Sequence, residues 1–200
     1  MYSLLCDDRR NKLRLFTELA NYLDGNMAEV GVYQGGSAEV IANNKHESKK
    51  LFLFDTFIGM PKSNQHDNIH KEGDFNQTSY NQICSNFKNY KNVFVYQGIF
   101  PKQNADKVQD EKFSLVHLDV DIYQSYKDCL EFFYPKLVDG GFLVLDDYGE
   151  TACLGAKLAI DKFLMKIPEK LIWTQYCQVV IIKNNGGKFL NNLIEFPFLM

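Results

Sequence analysis

Four aspartates end two apolar runs. "HLDVD" occupies residues 117–121 and "FLVLDDYG" occupies residues 142–149. Side chains alternate along a strand, so Asp119 and Asp121 share a face and can point to one site. Asp146 and Asp147 diverge if their strand continues. They converge only if it stops there, and Tyr148-Gly149 permits such a turn. Carboxylates gathered in one cleft repel each other, and a divalent cation removes that cost. Oxygen ligands suit Mg²⁺, Mn²⁺ or Ca²⁺. The competing reading is that these acids cap the helices that follow.

A second signal lies upstream in "EVGVYQGGSA", residues 29–38. Glycines let the backbone turn tightly and approach a ligand, and a helix opening near Ser37 offers free N–H groups. The turn suits a phosphate or a carboxylate, or is a plain strand-to-helix connection. Its spacing is not GxGxxG, so a dinucleotide is not the natural ligand. Asp55 ends the next apolar run, about 20 residues or more beyond the glycines, where an acid binds ribose hydroxyls. Alternatively it is a helix cap or a solvated strand end. His117 sits inside an apolar run, where a histidine is expected to be a satisfied core residue. Tyr123 and Tyr126 read as helix packing. His66 and His70 lie in a polar loop and are expected to be solvated. Cys129 and Cys153 fall on helices and need no function.

The elements that position these residues follow from hydrophobic periodicity. Helices are expected at 7–23, from "GGSAEVIANN", from "TSYNQICSNFKN", at 123–138 and at 151–167. Strands are expected at "MAEVGVY", "KKLFLFDTF", "NVFVYQG", "FSLVHLDVD" and "GGFLVLDDY", with a late pair in "LIWTQYCQVVIIKN". Strands alternating with helices imply a mostly parallel sheet covered on both faces. The late pair, with no helix between its members, implies an antiparallel edge. The polar stretch from Gly59 to about Asn76 is long for a loop and reads as a lid or as disorder. In an open parallel sheet, ligands bind outside the carboxyl ends of the strands. The glycine turn, Asp55 and both acid pairs all fall there.

The totals agree with one domain. The chain has 200 residues, 46% of them apolar and 24% charged, with a formal net charge of −3. No basic field favours nucleic acid. No apolar run approaches the roughly 18 residues that a membrane span needs. Five cysteines without a CxxC pair read as reduced thiols. The opening "MYSLLCDDRRNK" has too short an apolar run for a signal peptide, so a cytoplasmic location is expected.

At this level the residues resemble a family. "EVGVYQGGSA", "LFDTFIGMP", "FSLVHLDVDIYQSYKDCLEFFYPKLVDGGFLVLDDYG" and "GAKLAIDKFL" are similar to the macrocin-type O-methyltransferases. These are bacterial enzymes that methylate sugar hydroxyls on antibiotics and related glycosides. The resemblance runs over roughly residues 27–183. Looser similarity reaches the catechol-type, metal-dependent methyltransferases. The resemblance implies a Rossmann-like class I methyltransferase fold: α/β, with a mostly parallel seven-stranded sheet and an antiparallel edge strand. It would form a single methyltransferase domain over 1–200, with an N-terminal helix 7–23, a core 27–183 and a tail 184–200.

The donor implied is S-adenosylmethionine, and the metal is Mg²⁺. Carried over by position, Glu29, Gly31 and Ser37 belong to the turn for the methionine part, with Tyr33 and Gly35 in the same turn. Asp55 would hold the ribose, and the adenine is expected near Gln97-Gly98. Asp119, which also faces the cofactor, Asp146 and Asp147 match the family's Mg²⁺ ligands. Asp121 matches its general base. The acceptor would be a hydroxyl of a small molecule or glycan, with no nucleic acid and no membrane as partner. A homo-oligomer is left open.

Two departures matter. Catechol-type enzymes place a lysine base three residues after the first metal aspartate. That position is Ile122 here, which leaves Asp121 as the preferred base. The family also usually carries extra N-terminal segments that help form the lid and the oligomer. A catechol-like small diol is the alternative acceptor, and a non-catalytic cofactor-binding protein the alternative role. Four converging carboxylates argue against the latter.

Overall fold

The computed structural model describes residues 1–184. Seven strands form one sheet: β1 (Asn26–Val30), β2 (Leu51–Asp55), β3 (Val93–Gln97), β4 (Phe113–Leu118), β5 (Leu137–Leu145), β6 (Leu171–Gln175) and β7 (Gln178–Ile182). Their order is β3-β2-β1-β4-β5-β7-β6. Strands β1 to β5 pair in parallel. β7 pairs antiparallel with both β5 and β6, so the late pair builds the antiparallel edge region. The helices are α1 (Asp7–Ala20), α2 (Gly36–Asn44), α3 (Tyr80–Phe87), α4 (Tyr123–Phe133) and α5 (Leu154–Leu164).

Alternation along the strands explains the two layers. Leu51 and Leu53 of β2 join Met27, Leu115 and Val144 in the cluster packed by α1, α2 and α3. Phe52 and Phe54 join Val30, Leu118 and Leu145 in the cluster packed by α4 and α5. Both faces are covered, which is why the strands read as continuous apolar runs. Each fully buried Leu or Phe here stabilises the fold by about 1.5–3 kcal/mol.

Several boundaries differ from the sequence expectation, three of them with a local cause. α1 ends at Ala20 rather than Leu23, because Asn21, Tyr22 and Leu23 close a tighter turn onto Glu18, Leu19 and Ala20. α4 ends at Phe133, because Pro135 has no N–H to continue it. β5 then begins at Leu137, before the glycines, and its six residues from Leu137 to Phe142 oppose only Phe113 to Leu115 of β4. Gly140, at φ 79, lies in that bulge. Apart from Asn184, the expected tail 184–200 lies outside the described residues. No helix among the described residues is long and apolar enough to cross a membrane.

Candidate active site

The strand order reverses at β1, whose neighbours are β2 and β4. A cleft opens there beyond the carboxyl ends, the expected ligand position in such a sheet. Its empty space, open mouth included, is about 960 Å³. Gly31, Tyr33, Asp55, Gly98, Asp119, Asp121 and Asp147 line it. Leu4, Leu5 and Arg9 close one side, and Met60, Pro61 and Phe75 another.

The glycine turn is held by close contact. Gly31 has φ 91, and a Cβ there would lie 1.8 Å from the Asp119 carbonyl oxygen. No other residue fits while β1 and β4 stay paired. The Tyr33 N–H donates to Asp55 Oδ2 at 2.8 Å, and the Phe57 N–H donates to Asp55 Oδ1 at 2.7 Å. Both carboxylate oxygens are thus oriented; Thr56 Oγ1 also lies 3.4 Å from Oδ1, and Oδ2 keeps a lone pair for a further donor. The Gly98 N–H donates to the Asp55 carbonyl at 2.8 Å, which brings the end of β3 to the cleft. Glu29, Gly35 and Ser37 stand behind the lining: Glu29 inside β1, Gly35 and Ser37 where α2 begins.

The acids do not gather as a group of four. Carboxylate oxygens of Asp119, Asp121 and Asp147 all lie within 4.8 Å of one another. Asp121 and Asp147 reach this arrangement with φ of 54 and 66, values that non-glycine residues adopt at a cost. The Asp121 N–H donates to Asp147 Oδ2 at 3.2 Å. The Tyr126 hydroxyl lies 2.9 Å from the Leu118 carbonyl, 2.6 Å from the Asp146 carbonyl and 3.2 Å from Asp147 Oδ2, tying the ends of β4 and β5. Burial, then repulsion from Asp146 and Asp121, pushes Asp119 well above the usual carboxylate range. Burial, then Asp121 and Asp119, does the same to Asp147. Burial also raises Asp121, against an opposing pull from His70. Three hard oxygen donors that are costly to ionise together match the donor set of Mg²⁺, Mn²⁺ or Ca²⁺.

Asp146, expected as a metal ligand with Asp119 and Asp147, engages His117, Arg9 and Gln178 in this structure, while its charge still acts on Asp119. The Asp146 N–H donates to the Leu118 carbonyl, so strand geometry runs through it and alternation sends it away from Asp147. Asp146 Oδ2 lies 2.5 Å from His117 Nε2, Asp146 Oδ1 accepts from Arg9 Nη1 at 3.1 Å, and Gln178 lies beside it. His117 Nδ1 lies 2.8 Å from Glu29 Oε1. Glu29, His117 and Asp146 are all fully buried. Burial pulls the His117 pKa down, but hydrogen bonds to Asp146 and Glu29 outweigh it and lift it well above the usual value. His117 is therefore a satisfied core residue, as expected, and its partners are two carboxylates.

The polar loop is built rather than solvated. Asp67 Oδ1 accepts the Tyr123 N–H at 2.8 Å and so caps α4 from a distance in sequence. His66 packs on the Tyr123 ring with centroids 4.4 Å apart. His70 Nε2 lies 3.3 Å from Cys153 Sγ and 3.8 Å from Asp121 Oδ1. The expectation of two solvated histidines is thereby corrected: both are partly buried against the site. Arg9 and Asp67 carry no sequence expectation as site neighbours, while His70, expected to be solvated, and Cys153, expected to need no function, both border the site. One signal was available: Glu29 and His117 sit in buried strands and each needed a polar partner.

Residues 1–180 match the family described as Macrocin-O-methyltransferase (TylF). The 8-demethyl-8-(2,3-dimethoxy-alpha-L-rhamnosyl)-tetracenomycin-C 4'-O-methyltransferase of Streptomyces olivaceus is 28% identical over 155 residues, covering 70% of this chain and 59% of the relative. Demethyldecarbamoylnovobiocin O-methyltransferase of Streptomyces niveus is 25% identical over 171 residues, covering 77% of this chain and 64% of the relative. The chain thus spans less than two thirds of the length of these relatives. The solved structure of the O-methyltransferase NovP superposes with a TM-score of 0.78 at 22% identity, over 91% of this chain and 82% of that one, and shows the shared fold. By the match over residues 1–180, the chain belongs to the macrocin-O-methyltransferase (TylF) family.

Proposed function

We propose that the protein is an S-adenosylmethionine-dependent, divalent-cation-dependent O-methyltransferase acting on a sugar hydroxyl of a glycosylated small molecule. The observation that carries this reading is the convergence of Asp119, Asp121 and Asp147 in the cleft walled by the Gly31 turn and Asp55. The names of the relatives from Streptomyces, both O-methyltransferases, support the reaction class, and the rhamnosyl group in one name supports the acceptor class.

The residues divide the work. Asp55, with both oxygens already aligned by the Tyr33 and Phe57 N–H groups, accepts hydrogen bonds from the ribose hydroxyls. The backbone around Gly31 approaches the methionine part, Tyr33 borders it, and Gly98 borders the adenine. Gly35, Ser37 and Glu29 shape and support that turn from behind. Asp119 and Asp147 would hold the cation, with Asp121 close enough to share it. A bound divalent cation lowers the pKa of a coordinated hydroxyl, which is otherwise a poor nucleophile at neutral pH. Asp121 accepts the proton as the hydroxyl oxygen takes the methyl group, and the sulfur leaves with the sulfonium's bonding electrons. The loop over 59–76 lies against this side and helps exclude water.

Calorimetric titration with S-adenosylmethionine and its demethylated product, each with and without Mg²⁺, tests the proposal. Binding of donor and an independently measured Mg²⁺ site are expected. Absence of donor binding under both conditions removes the methyltransferase reading.

A further inference from the structure

A second constellation lies where the loop, β4 and α5 meet. His70 Nε2 and Cys153 Sγ are 3.3 Å apart, Cys153 Sγ and Asp121 Oδ1 are 3.7 Å apart, and His70 Nε2 and Asp121 Oδ1 are 3.8 Å apart. One nitrogen, one sulfur and one oxygen thus form a nearly equilateral triangle. A tetrahedral Zn²⁺ with bonds of about 2.0–2.3 Å sets its ligand atoms about 3.3–3.8 Å apart. The three measured edges lie within about 0.5 Å of the lengths those donor pairs would take. Cys153 is buried, while His70 and Asp121 are partly exposed. One corner of the tetrahedron therefore remains for water or for an acceptor atom.

We propose that His70, Cys153 and Asp121 form a binding site for a thiophilic divalent cation of the Zn²⁺ class. Asp74 adds an independent sign. Its Oδ2 stands 3.9 Å from His70 Nδ1, near but beyond hydrogen-bond reach, and is fixed by the Lys71 N–H at 2.8 Å. The donor set separates this site from the neighbouring one. Asp119 and Asp147 offer only hard oxygens, which suit Mg²⁺, whereas imidazole with thiolate selects Zn²⁺ over Mg²⁺. Binding displaces the Cys153 proton and clips the 59–76 loop to the ends of β4 and α5. It also engages an oxygen of Asp121. Zn²⁺ therefore inhibits turnover, a consequence that rests on the reading of Asp121 as proton acceptor, whereas the site itself rests on its geometry.

The test is a titration of the tag-free chain with Co²⁺, in excess Mg²⁺, followed by absorption. A thiolate-to-cobalt charge-transfer band is expected, saturating at one equivalent and displaced by Zn²⁺. The band is lost in Cys153→Ser and in His70→Ala. The second variant lies on the loop rather than in α5 and serves even if the first fails to fold. Absence of the band in the native chain overturns the site. So does a band that survives either variant, which would then belong to Cys6, Cys84 or Cys177. A band that behaves as expected while Zn²⁺ leaves turnover unchanged upholds the site and removes Asp121 as proton acceptor.

Discussion

Asp146 and Asp147 are consecutive, yet their carboxylates engage different partners. Asp147 faces Asp119 and Asp121 in the cleft, whereas Asp146 faces His117 and Arg9 beneath α1. The divergence is that of a strand continued past its last apolar residue. It splits a motif that looks like one chemical unit into a cleft acid and a buried counter-charge.

The counter-charge role has a measurable consequence. His117 lies between Glu29 and Asp146 with no solvent contact. Removing one member of a buried ion pair leaves an uncompensated charge, at a cost of about 3–5 kcal/mol. Asp146→Ala should therefore lower unfolding stability by about that amount in urea denaturation. Asp147→Asn should abolish Mg²⁺ binding while leaving the fold at least as stable. If Asp146→Ala kept its stability and lost only Mg²⁺ binding, the division between the two acids would be wrong.

Cation and pH should act together on stability. Burial, with repulsion from neighbouring acids, raises the pKa of Asp119, Asp121 and Asp147 in the folded state. An acid with a raised folded pKa holds its proton more tightly when folded than when unfolded. Without a cation, its contribution is fully present below the unfolded value of about 3.9 and is lost as pH rises through the folded value. Thermal unfolding in chelator should show falling Tm over that window. Added Mg²⁺ should raise Tm more at the upper end of it, where the acids are ionised. A Mg²⁺ shift independent of pH and intact in Asp147→Asn would place the cation elsewhere.

Asp55 tests the donor side. Its two oxygens already accept the N–H groups of Tyr33 and Phe57. Loss of a charge-assisted hydrogen bond to ribose is worth about 1.5–3 kcal/mol, or about 10- to 150-fold in Kd. Asp55→Ala should weaken S-adenosylmethionine binding by that factor in calorimetry. Asp55→Asn, which retains one acceptor oxygen, should lose less. Unchanged affinity in both would remove Asp55 from the ribose role.

The architecture was legible because its signals are local. Leu51 to Phe54 are apolar without a break, which marks a strand covered on both faces; the end of α4 before Pro135 was not legible, because the apolar spacing continues to Leu137. The placement of acids at strand ends was legible from signals equally local. Their directions were not. Whether Asp146 turns with Asp147 depends on a backbone φ of 66 at Asp147, and no residue type encodes that value. The pairing of Glu29 with His117 depends on the register between β1 and β4, whose residues are far apart in sequence. The loop misled through its composition. Asn, Lys and Asp suggested solvation, but Asp67, His66 and His70 act through single contacts that carry no periodicity.

The loop's anchoring yields the last prediction. Asp67 Oδ1 accepts the Tyr123 N–H at the start of α4, where Ile122 offers no capping side chain. A Cβ on Gly155 would lie 2.0 Å from that same oxygen and 3.0 Å from the Tyr123 nitrogen. The glycine on α5 is thus the space in which the cap sits. Asp67→Ala should cost about 0.5–2 kcal/mol, the usual worth of an N-cap. Gly155→Ala should cost at least as much, because it expels the same carboxylate and crowds the backbone behind it. The two are in contact, so their effects should not add. Once Asp67→Ala has removed the carboxylate, Gly155→Ala should cost less than it does alone. Urea denaturation of both single variants and the double variant measures the coupling. Additive effects would mean that Asp67 does not hold the loop against α4 and α5 in solution, and that His70 is not carried to Asp121 by this anchor.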